Sequence, residues 1–77
     1  MSDPTVLAMA NKLAEETLAV QRETGEDRLF MEVAQVLGAS SQTLEEAFLT
    51  AVRTRMADAA GRSFLAKKLG DHRAKAK

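Results

Sequence analysis

Few side chains in this 77-residue chain could do covalent or acid–base chemistry, and their spacing keeps them apart. The composition holds one histidine, His72, and no cysteine, so thiolate metal sites and disulfides are excluded. His72 stands beside Asp71 without a second nitrogen or sulfur ligand and reads as a solvated residue. Ser40, Ser41 and Ser63 have no base that the sequence places near them, and the first two are explained as helix caps. The acidic pairs Glu15-Glu16, Glu26-Asp27 and Glu45-Glu46 are adjacent, which on a helix turns the two carboxylates about 100° apart rather than onto one target. Four scattered glycines make neither a phosphate loop nor a dinucleotide fingerprint. The expectation is a non-enzyme with no cofactor and no catalytic or metal-binding residue.

The elements that must position everything else are helices, and the predicted class is all-α. The reading is a small three-helix, or 3+1, bundle with a basic C-terminal tail. Asp3-Pro4 opens the first helix, because proline at the first helical position lacks only an N–H that would be unpaired there. Val6, Met9, Ala10, Leu13 and Val20 form its apolar stripe, widened by Leu7, Ala14 and Leu18. Gly25 should stop it near residue 24, where Thr24 and Asp27 offer a capping pair for the next helix. In the second, of about residues 26–37, Leu29, Phe30, Val33, Ala34, Val36 and Leu37 share a face, and Gly38 ends it.

Ser40, Ser41 and Thr43 are N-cap candidates for the third helix, with Thr43 and Glu46 at capping-box spacing. This helix, of about residues 42–60, carries Leu44, Phe48, Val52 and Met56 on one ridge, with Leu49, Ala59 and Ala60 beside it. Past Gly61 the apolar residues Phe64, Leu65 and Leu69 lie on a different side of the axis from that ridge. Residues 62–69 therefore either bend back at Gly61 as a fourth helix or continue and offer a second stripe to another chain. Residues 1–69 read as one domain, and 70–77 as a flexible basic tail.

Lysine plus arginine and aspartate plus glutamate both number 11, so the chain is neutral overall. The balance hides a division. Residues 1–50 hold nine acids and three bases, a net of −6, whereas residues 51–77 hold eight bases and two acids, a net of +6. The uncharged stretch Val33–Leu44 is far shorter than the ~20 apolar residues that a membrane span needs. No basic residue precedes Lys12, against a secretory signal, so the expected localisation is cytoplasmic.

Residues 33–44 (Val33, Ala34, Leu37, Gly38, Ser40, Thr43, Leu44) resemble the core of the helix-turn-helix DNA-binding superfamily. An apolar residue followed by alanine, Leu-Gly, a serine two after the glycine and a threonine before an apolar residue all match. Ala34 is small where helices cross and Gly38 can take a positive φ at the turn. The resemblance implies that Ser40, Ser41, Gln42, Glu45, Glu46 and Thr50 face the major groove.

The leading expectation from the residues themselves is a small helical interaction or regulatory module. Its candidate partner-binding residues are Arg62, Phe64, Leu65, Lys67, Lys68 and Leu69, apolar positions rimmed by positive charge. The expected partner is a second copy or another protein. Duplex DNA, the alternative, is disfavoured because Glu45 and Glu46 would repel phosphates.

Overall fold

The long third helix organises the molecule. A computed structural model describes residues 3–76 as three α-helices in an up–down–up arrangement, α1 (Pro4–Thr24), α2 (Leu29–Gly38) and α3 (Gln42–Lys75). α1 begins where the sequence asks it to: Asp3 caps it by accepting from the Thr5 N–H at 2.8 Å, and Pro4 occupies the first turn. It ends at Gly25, whose φ of 77° lies in the left-handed region that favours glycine and whose N–H donates to the Gln21 carbonyl.

α2 starts three residues later than the sequence predicts. Residues 26–28 form a turn instead, and Thr24 does not cap α2: its hydroxyl donates to the Val20 carbonyl and accepts from the Glu26 N–H. The Gln21 side chain of α1 accepts the Phe30 N–H at 2.8 Å, satisfying an orphan donor of α2 from a neighbouring helix. At the start of α3 the cap is Ser41, which accepts from the Leu44 N–H at 3.1 Å, so the Thr43–Glu46 box is not used.

The core is narrow and rich in small residues. Ala10, Ala14 and Thr17 of α1, Ala34 of α2, and Phe48, Ala51 and Val52 of α3 are buried, with Phe48 and Val52 the largest side chains fully enclosed. Leu13, Leu18, Phe30, Val33, Leu37, Leu44 and Leu49 pack half-buried around them. Alanine at the crossing points brings the helix axes close, which turns the larger neighbours to the flanks. Several of the expected core positions are thereby corrected: Leu7, Met9, Val20 and Met56 are about half exposed, Val36 is 71% exposed, and Ala59 and Ala60 are exposed as well. The positive φ expected at Gly38 is corrected too, because Gly38 is the last helical residue of α2 and its φ is not positive. The Glu45 side chain of α3 lies against Gly38 at the end of α2, its carboxylate 2.7 Å from where a Cβ would stand.

α3 does not bend at Gly61 and there is no fourth helix. Its 34 residues run on through the segment predicted as a flexible tail, giving a molecule 57 Å long, 31 Å wide and 13 Å thick. The physical reason is local: a Cβ at Gly61 would meet nothing within 4 Å, its φ is not positive, and Ala57, Ala59, Ala60 and Ala66 are strong helix formers. Of the predicted tail, Lys77 lies outside the described residues, as do Met1 and Ser2.

These placements have measurable consequences. Phe48→Ala should cost about 3–5 kcal/mol and leave so small a domain largely unfolded in a thermal melt. Gly25→Ala and Gly61→Ala should move stability in opposite directions. The first forces a side chain into the left-handed region and destabilises by about 1 kcal/mol, and the second replaces a poor helix former and stabilises by up to about 1 kcal/mol. Denaturant titration at concentrations low enough to keep the chain monomeric reads both, and a Gly61→Ala variant destabilised there would contradict the continuous helix.

Candidate interaction surface

α1 and α3 run parallel, with Leu7 beside Thr43 and Ala47 at one end of their contact and Arg22 beside Ala59 at the other. Arg55 ties the pair from its middle, donating to Glu15 at 3.0 Å and to Asn11 at 3.3 Å. The ion pair is solvated, so Arg55→Ala should cost no more than about 1 kcal/mol in a denaturant titration. α1 then stops and α3 does not. Every residue from Met56 to Ala76 is exposed, and residues 61–75 project as a single helix about 22 Å past the end of α1.

All six candidate partner-binding residues lie on this projection. Phe64 is 60% exposed, Leu65 67% and Leu69 47%. On a straight helix Phe64 lies about 160° round from the buried Phe48, Leu65 about 100° and Leu69 about 60°, so the three spread over a broad face. Lys68 stands within that face, its Nζ 5.8 Å from the centre of the Phe64 ring, where the ring's negative face attracts it. Arg62 sits at its edge, donating to Asp58 one turn earlier at 2.9 Å. Lys67 points about 160° away from Leu65 and does not belong to the face.

The residues that the helix-turn-helix resemblance would send to a DNA groove do not share one surface. Ser40, Gln42 and Glu46 are exposed and Ser41 is committed to capping α3. Glu45 is half-buried against Gly38 on the α2 side of α3, whereas Thr50 lines a groove on the α1 side. No group of three or more potential metal ligands occurs among the described residues, and His72 is an exposed residue on α3.

That groove on the α1 side is a feature that sequence reasoning missed. It is open, about 300 Å³ in volume, floored by Ala47, Thr50 and Thr54 of α3 and walled by Leu7 and Asn11 of α1. No single segment signals it, but its α3 floor has a counterpart on the projection: an eighteen-residue offset, five turns of helix, carries Glu46, Ala47, Thr50 and Ala51 onto Phe64, Leu65, Lys68 and Leu69. The groove and the projecting apolar face are therefore two stretches of one side of α3.

No family model matches the chain, and no curated protein or solved structure matches it. Among the described residues no helix is long and apolar enough to cross a membrane.

Proposed function

We propose that the protein is a small non-catalytic helical interaction module that works through the second half of α3, by self-association or by docking on a protein partner. The observation that carries this is the uncovered projection itself. An isolated helix of about fifteen residues is marginal in water, and most helical stability in proteins comes from packing an apolar face. Residues 61–75 have an apolar face and nothing packed on it. Fully burying a Leu or Phe side chain is favourable by about 1.5–3 kcal/mol, so three such residues on one exposed helix supply the central patch of an interface. Arg62 and Lys68 at and within the face favour an acidic rim on whatever covers it.

The test is mass in solution by sedimentation or light scattering over a range of protein concentrations. The parent chain should exceed the monomer mass as concentration rises, and Leu65→Ser with Leu69→Ser should give a folded monomer, since neither residue supports the core. A parent that stays monomeric at the highest concentrations sinks self-association.

The second reading, a duplex-DNA binder, draws its support from the α2–α3 turn, where Ser40 and Gln42 are exposed beside the Ser41 cap. On the reading proposed here, no sequence-specific footprint should survive competitor DNA at physiological salt. A surviving footprint altered by Gln42→Ala would reverse the order of the two.

A further inference from the structure

We infer that the occupant of the uncovered face is a second copy of this chain, with the two α3 helices antiparallel about a two-fold axis near Ala57, so that each projection fills the other copy's α1–α3 groove. This rests on the interaction reading above and names its partner and geometry.

Charge selects the direction. Between Gln42 and Val52 the charges of α3 are Glu45 and Glu46 alone, and from Arg53 to Lys75 seven bases face only Asp58 and Asp71. A parallel pair would set the basic halves side by side, whereas an antiparallel pair lays each basic half along the other copy's acidic start. Position selects the register. With the two Ala57 residues facing across the axis, Glu46 comes level with Lys68 of the second copy and Thr50 with its Phe64. A two-fold axis perpendicular to the helices keeps the α1 flanks of both copies on the same side. Leu65 and Leu69 lie on that flank, five turns beyond Ala47 and Ala51, and so enter the groove beside Leu7, itself 43% exposed.

Steric fit follows the same stripe. Ala47, Thr50, Thr54, Ala57 and Gly61 succeed one another at alternating spacings of three and four, the repeat of a helix–helix seam. Small residues along it let two axes approach closely around the two-fold axis. Gly61 has no role within one chain, being neither at a turn nor near another atom, and close approach of a second α3 supplies one. Large apolar residues appear on the stripe only beyond the end of α1, where the groove of a second copy can receive them. The contact is self-complementary and closed, each copy contributing one groove and one projection.

Because the chain has no cysteine, the geometry can be read by cross-linking. Ala57→Cys should form a disulfide-linked dimer on mild oxidation, and a mixture of Glu46→Cys and Lys68→Cys chains should link one to the other. Val36→Cys, exposed on α2, should not cross-link. Glu46→Lys should weaken self-association at least tenfold at low salt, and combining it with Lys68→Glu in the same chain should restore it. If the parent is a dimer but Leu65→Cys cross-links to itself while Ala57→Cys does not, the projections pair with one another. The inference then falls and the interaction reading stands. If every variant and the parent are monomeric, the inference falls and so does self-association as the function.

Discussion

The difference in helix length governs this molecule. α1 has 21 residues, α2 has 10 and α3 has 34, so α3 cannot be covered along its whole length by the helices of its own chain. Where α1 and α2 reach, α3 contributes Phe48, Ala51 and Val52 to a common interior. Past Ala59 it has no neighbour, and its composition changes to basic residues with a few large apolar ones. A helix of this length is stable in that state because it propagates from a nucleus already fixed in the bundle, and because its alanines and the Asp58–Arg62 pair support it locally.

The core repeats the economy of the whole. Alanine is the commonest buried residue, which allows the three helices to lie close in a layer 13 Å thick. A domain of this size buries a modest fraction of its surface, and enclosing only two large side chains leaves little reserve. Polar ties therefore matter at the joints. Gln21 receives the first turn of α2, Ser41 closes the start of α3, and Arg55 reaches Glu15 and Asn11 across the α1–α3 contact. The Gln21 and Arg55 bonds link elements that the narrow core alone would hold loosely, and the Ser41 cap fixes where α3 begins.

The surface has one consistent side. Along α3, the positions that form the groove floor and the positions that carry Phe64, Leu65 and Lys68 share a direction, because eighteen residues complete five turns. A concave stretch with small residues lies next to a convex stretch with large ones, and that adjacency is what the proposed pairing of two copies draws on.

Much of this was legible in the residues themselves. The spacing of apolar positions, Pro4 after Asp3 and the stop at Gly25 indicate three helices and place the first. Ser41 is one of three cap candidates with Ser40 and Thr43, and the start of α2 and the end of α3 lie outside the expected bounds. The charge division between the two halves is likewise a property of the chain. What residue spacing left open was which part of each apolar face turns inward and whether Gly61 interrupts α3. Val36 and Met56 fit the apolar pattern but lie outside the core, because close alanine contacts at Ala14, Ala34 and Ala51 rotate the helices away from their larger residues. Gly61 is a weak signal in either direction, costing a helix about 1 kcal/mol without breaking it, so its state depends on what surrounds it. Here nothing in the same chain draws the helix back. The groove beside Leu7 depends on two helices meeting at one register, which no single segment encodes, and it exists only once α1 and α3 are packed.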